Sequence, residues 1–277
     1  MSCSEEFSPQ NEDTVKQAVI LSEFEVGTDV IEMTLTTTFS LNEGPSHPGE
    51  ALQNGNEPFL SNLDNGATNK TFRYQKVAQK WINDAFQYQP GHTISLTANL
   101  DVVGLENIYA ETTIPIAGEI NIPVPVATDN IDTYDFQMEL SVPELEDNFY
   151  HIIPYVAASA DDPSKQYLNI DAFAEGEASV FGLSHIDGIL IDVNRAGNFN
   201  TFNLSIRKSE LPSNPSKIYL KVKTVAKEYY DFHRSLTLQA ESDQGPFDAP
   251  FPTVSNIERG QGIFTAYTVS LDSIIVE

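Results

Sequence analysis

The chain has 277 residues, of which 40 are acidic and 15 basic, giving a formal charge of −25. With 40% hydrophobic and 10% aromatic residues it carries enough apolar material for a real core, which sets it apart from a disordered acidic chain. The length suits one large β domain or two of ordinary size, and a surface this negative repels phosphate backbones, so nucleic acid is not an expected partner.

The N-terminus holds the only cysteine, Cys3, which rules out an intrachain disulfide and any Cys-based metal cluster. Its setting, Ser2-Cys3-Ser4-Glu5-Glu6-Phe7, looks like the lipid-attachment end of a bacterial lipoprotein, with residues 1–14 as a polar tether. A chance cysteine in a tail is the other reading. No stretch approaches the ~18 apolar residues needed to span a bilayer, so any membrane link is expected to be an anchor, with the hydrophobic leader upstream of Met1.

From there the dominant pattern is strand-like. Residues 31–39, 92–100 and 134–140 alternate apolar and polar with period two, as a half-buried antiparallel strand does. Further strands are predicted over 16–25, 108–114, 149–157, 188–193, 200–207 and 217–225, with turn signals such as Gln89-Pro90-Gly91 between them. Short strands so separated predict a mainly β protein of sandwich type.

Two segments depart from that pattern. Residues 42–69, rich in Gly, Asn, Pro and Ser, read as a long surface loop and a candidate recognition element. After it, Tyr74, Val77, Ala78, Trp81, Ile82 and Ala85 recur at helical spacing and predict a short amphipathic helix bearing the only Trp. Trp81 then either packs on a sheet or stacks on a ligand, and Tyr88 and Tyr109 are the other aromatic binding candidates. A second helix is predicted over 226–240, with Tyr229, Tyr230, Phe232, His233, Leu236 and Leu238 around its wheel.

Prolines from Pro115 to Pro125 suggest a connector and place a domain boundary near residue 120. The expected organisation is therefore an immunoglobulin-like sandwich over 15–118 and a second β domain with one helix over 119–277. Charge is uneven across these parts. Residues 1–70 hold two lysines against twelve acids, while residues 207–234 hold seven of the fifteen basic residues and three acids. That segment is either internally paired with the acidic remainder or a docking patch.

Templates for chemistry fail in turn. His47, His92, His151, His185 and His233 show no metal-binding spacing, so no metal or cofactor is expected. Gly182-Leu183-Ser184-His185-Ile186 starts like a nucleophile elbow but lacks its final Gly, and Asp192-x-Asn194-x-x-Gly197 lacks the acidic twelfth position of a calcium loop. With forty acids, no carboxylate pair stands out as a hydrolase centre.

Tyr229-Tyr230, then Gly245-Pro246-Phe247-Asp248-Ala249-Pro250, then the run from Val254 through Asn256, Gly260, Gly262 and Phe264 to Tyr267, resembles the C-terminal signature of a Bacteroidetes outer-membrane lipoprotein family, domain of unknown function 4249. Residues 90–96, 110–115, 148–150 and 186–188 resemble its weaker blocks. The resemblance carries no catalytic residues, so none are assigned. Physically, Gly260 and Gly262 suggest close backbone approach or positive φ, and with Asn256 and Phe264 the signature reads as a structural latch between the last strand and the Tyr229 helix.

The resemblance strengthens lipidation at Cys3, since Ser4-Glu5-Glu6 is similar to export signals of that phylum's surface lipoproteins. Asp13-Thr14-Val15 and Asp272-Ser273-Ile274 resemble its O-glycosylation tripeptide. The family implies a non-enzymatic, cell-surface outer-membrane lipoprotein serving a TonB-dependent transporter. A stand-alone carbohydrate- or peptide-binding module is the alternative, and a hydrolase a more distant one.

Overall fold

A computed structural model describes residues 16–38, 46–53, 55–66, 70–121, 125–126, 132–141, 148–174, 178–193, 199–211, 217–242 and 251–275. In chain order the first half forms β1 (Ala18–Glu25), β2 (Ile31–Thr37), β3 (Phe59–Asn62), β4 (Lys70–Thr71), β5 (Arg73–Gln75), β6 (Lys80–Asn83), β7 (Thr93–Ala98) and β8 (Ile108–Thr113). The second half forms β9 (Glu119–Asn121), β10 (Pro125–Val126), β11 (Thr133–Ser141), β12 (Asn148–Val156), β13 (Gln166–Tyr167), β14 (Asp171–Ala174), β15 (Ser179–Gly182), β16 (Ile189–Val193), β17 (Phe199–Arg207), β18 (Lys217–Val225), α1 (Lys227–Ser242) and β19 (Gly260–Ile275).

One ten-stranded sheet, in the order β15-β16-β12-β18-β19-β1-β2-β6-β5 with β13 beside β12, runs through the molecule. Its faces make three cores. Near β1, β2 and β6 it packs on the four-stranded sheet β4-β3-β7-β8, burying Ile20, Met33, Trp81, Leu96 and Phe264. Near β12, β16 and β18 it packs on the sheet β10-β11-β17-β14, burying Ile152, Leu204, Leu220 and Met138. On the opposite face, α1 covers Phe149, Leu190, Val225 and Ile263. The protein is thus mainly β and built of sandwiches, because alternating strands give each sheet one apolar face to bury. Each such side chain contributes about 1.5–3 kcal/mol.

The boundary near residue 120 does not divide the packing. β19 belongs to the C-terminal segment, yet it pairs in parallel with β1 over Ala18↔Gly260 to Glu25↔Tyr267 and sends Phe264 and Ala266 into the first core. Its far end pairs with β18 and adds Ile274 to the second core. A 16-residue strand spanning both cores makes the large sheet continuous, which local proline density could not foretell.

Two expectations are corrected. Over residues 73–83 the chain forms the β5–β6 hairpin instead of a helix, with Tyr74 opposite Trp81 and Trp81 opposite Met33 of β2. The helical spacing there is accidental, because the turn removes Val77 from any common face and leaves it fully exposed. Sheet pairing that buries an indole outweighs the weak local helix preference. In the 42–69 segment, described residues include a 3-10 turn at Pro48–Glu50 and strand β3, whose pairing with β7 makes it part of the first sandwich. The α1 prediction agrees closely, although Ser235 and Thr237 are buried where Leu236 and Leu238 are half-exposed.

Trp81 is fully buried. Its fluorescence is therefore expected to be blue-shifted and insensitive to acrylamide until the chain unfolds. Red emission from the native protein would contradict this packing.

Candidate functional site

Alternation along β1 turns Glu23 toward the face that carries α1, while Ser22 and Phe24 point into the first core. On α1, Tyr229, His233 and Thr237 recur every four residues and make a buried polar stripe facing the sheet. Two hydrogen-bonded arms run from this stripe to the segment 183–188 between β15 and β16.

In the first arm, His233 Nε2 donates to Glu23 Oε1 at 2.8 Å. His233 Nδ1 must then accept, and it receives His185 Nε2 at 2.8 Å. His185 Nδ1 in turn accepts from the Thr237 hydroxyl at 2.9 Å, and Thr237 accepts the Ser184 amide at 3.4 Å. These directions are assigned so that each donor along the chain meets an acceptor.

In the second arm, the Tyr229 hydroxyl donates to His151 Nδ1 at 2.9 Å, and His151 Nε2 donates to the Asp187 carbonyl at 2.7 Å. Lys223 Nζ donates to the Tyr229 oxygen at 3.2 Å and lies 4.2 Å from the Tyr267 ring centre. The turn beside His151 needs Gly188: φ is +105°, and a Cβ there would lie 2.2 Å from the Ile152 carbonyl.

Burial sets the ionisation of these groups. It pushes His151 down to about 3, helped by the Lys223 charge, so the ring stays neutral. It also lowers Lys223 to about 8, despite the nearby Glu23 carboxylate. For Glu23 burial acts upward, but the His233 hydrogen bond and the Lys223 charge outweigh it and hold the carboxyl below its usual range. Burial lifts Tyr229 well above the usual phenol value and Tyr267 to about 12.

All three imidazoles have both nitrogens engaged. The arrangement ties the 183–188 segment to α1, β12 and β1. That segment forms one wall of an open trough of about 670 Å³, lined also by Asn169, Asp171 and Glu241. A second cleft of about 340 Å³ lies between β15 and α1, with Phe149, Phe181 and Tyr230 along it and Arg234 and Lys227 at its rim. Among the described residues, no group of three His, Cys, Asp or Glu side chains is placed to hold a metal ion.

The aromatic binding candidates are dispersed. Trp81 is buried, Tyr88 is half-buried edge-on to Phe24, and Tyr109 stands on β8 with its hydroxyl given to Glu111. They form no common platform.

In the glycine signature β19 comes close to β1 and β8, where the expectation had it joined to the Tyr229 helix. Asn256 accepts the Phe264 amide at 3.0 Å and donates to the carbonyls of Phe264 and Glu111 at 2.8 and 3.0 Å. Phe264 fills the first core, and Tyr229 and Tyr230 belong to the helix packing, with Tyr267 6.2 Å from Tyr229. Cys3 and the tether 1–14 lie outside the described residues. The histidine cluster was not anticipated, because His151, His185 and His233 are far apart in the chain. The one sequence signal was the stripe Tyr229, His233, Thr237 at four-residue spacing on one face of the helix.

A family model described as "Domain of unknown function (DUF4249)" matches residues 4–272. No curated protein matches the sequence. Among solved structures, the full-length major pilin SpaD from Corynebacterium diphtheriae is similar at 8% identity and a TM-score of 0.26, covering 76% of this chain and 61% of the pilin. The chain thus spans 61% of the pilin's length. The yeast delta-COP-I mu-homology domain complexed with a Dsl1 WxWxV peptide matches at 10% identity and a TM-score of 0.23, over 95% of this chain and 96% of that one.

Proposed function

The chain belongs to the domain of unknown function family DUF4249, and on that premise we propose that it is a non-enzymatic, cell-surface lipoprotein. Lipid on Cys3 holds it to the outer membrane, and it serves as the ligand- or partner-binding accessory of a TonB-dependent transporter. The observation that carries the binding role is the braced trough. Five ionisable side chains, Glu23, His151, His185, Lys223 and His233, are hydrogen-bonded among themselves, to the hydroxyls of Tyr229 and Thr237 and to backbone, and what they hold still is a segment that walls an open cavity. A binding site gains from a fixed wall, because rigidity lowers the entropy lost on association. The Bacteroidetes and transporter assignments rest on the resemblance of the 229–267 signature and of Ser4-Glu5-Glu6.

The test uses the protein expressed from its own locus, affinity-tagged at the C-terminus and solubilised from outer membranes. Enrichment of a β-barrel TonB-dependent transporter is expected, and Cys3→Ala is expected to release the protein from the membrane fraction. A membrane preparation with no transporter enriched would overturn the accessory role, and unchanged membrane retention of the variant would overturn the anchor.

A further inference from the structure

The ten-stranded sheet ends at β15, and among the described residues no strand pairs with its outer edge. The Leu183 amide bonds the Gly188 carbonyl, which makes that pair a hydrogen-bonded one. Alternation then makes Phe181–Leu190 and Ser179–Asp192 hydrogen-bonded pairs and leaves the N–H and C=O groups of Val180 and Gly182 directed away from β16. Among the described residues nothing lies within 4 Å of the position a Gly182 Cβ would occupy, and Ser179 and Gly182 are exposed.

The two clefts flank this edge, and both are lined by Val180 and Phe181. The helix-side cleft has an aromatic wall, Phe149 and Tyr230 with ring centres 4.8 Å apart, next to Phe181. The trough carries the carboxylates of Asp171, Asp187 and Glu241, of which Asp171 has a partner in Arg207 at 4.0 Å. A strand added to β15 would send alternate side chains into the two clefts.

We propose that β15 is a docking edge for an extended segment of a partner protein, which adds as a further strand and places aromatic side chains in the cleft beside α1 and Lys or Arg side chains in the trough. Charge complementarity selects the basic side chains: the trough holds three carboxylates, on a chain whose formal charge is −25. The inference rests on reading the trough as a binding site and adds what occupies it.

The probe is a fluorescein-labelled hexapeptide, Thr-Phe-Lys-Phe-Lys-Thr, titrated with the full chain and followed by anisotropy at physiological salt. Saturable binding is expected with a Kd of about 1–100 μM, the weak range of a small interface. In an added strand alternate amides face the same neighbour. N-methylating either both lysines or both phenylalanines should therefore abolish binding, while N-methylating the other set changes it less than about threefold. Replacing both lysines by glutamates should weaken binding at least about tenfold. Val180→Pro, which removes only an outward amide, should abolish it with native circular dichroism; if that variant does not fold, the peptide arms decide. No saturation up to about 1 mM, or equal binding of all N-methylated forms, overturns the proposal. Failure of the peptide with a transporter still co-purifying removes the edge and leaves the accessory role. Loss of the transporter with the peptide still bound does the reverse.

Discussion

Gly262→Ala is expected to destabilise the protein by about 3 kcal/mol or more, among the largest effects of any single substitution here. Gly262 sits at φ +104° opposite Ile20 of β1, and a Cβ at that position would lie 1.9 Å from the Ile20 carbonyl oxygen and 2.9 Å from its carbon. Neither atom is the end of a flexible side chain, so relief requires β19 to part from β1. That pair joins both halves of the ten-stranded sheet, and its loss reaches Phe264 and Ala266 in one core and Ile263 under the helix.

Gly104→Ala separates the two causes. Gly104 has φ +73° with open space around its would-be Cβ, so only backbone strain of about 1–2 kcal/mol is expected there. Urea unfolding followed by circular dichroism reads both variants. Equal midpoints for the two would show that the close approach at Ile20 contributes nothing.

The legible part of this fold was local. Alternation identified β1, β2, β7, β8, β11, β12 and β16–β18 to within a residue or two, because each pattern is written in consecutive positions facing one core. The helix was legible for the same reason. What failed was whatever depended on partners distant in sequence. Tyr74, Val77, Ala78 and Trp81 fit a helix wheel, and only β2, some fifty residues earlier, makes the hairpin the better burial. The proline-rich passage looked like a boundary, yet a strand 140 residues further on ties the two sides together.

The candidate site was almost wholly hidden, since its histidines come from β12, the segment after β15, and α1. Gly260 and Gly262 were legible as points of close approach, because glycine's lack of a Cβ is a statement about space. Which strand approached was not.

Acidification should weaken the protein through His151, and the sign follows from proton counting. In the fold His151 titrates near 3, whereas in the unfolded chain its pKa is about 6.5. Between these values the unfolded chain binds the proton and the folded chain does not, so stability rises with pH across that window. The contribution is complete above pH of about 6.5, falls by at most about 1.4 kcal/mol per unit as pH drops, and levels off near 3, a total on the order of 3–5 kcal/mol. Glu23, held below its usual range, adds loss of the same sign at lower pH, and His185, lowered chiefly by burial, adds to it as well.

His151→Gln isolates the His151 term, since a glutamine amide still donates to the Asp187 carbonyl but does not titrate. The variant should be less stable than the native protein at pH 8, and its stability should depend less steeply on pH between about 6.5 and 3. Parallel curves for the two would show that the ring is not held neutral. Because His151 and His185 both fasten the 183–188 segment, the same acidification loosens the trough wall before the two sandwich cores give way, and hydrogen exchange at Ser184 to Gly188 should rise first.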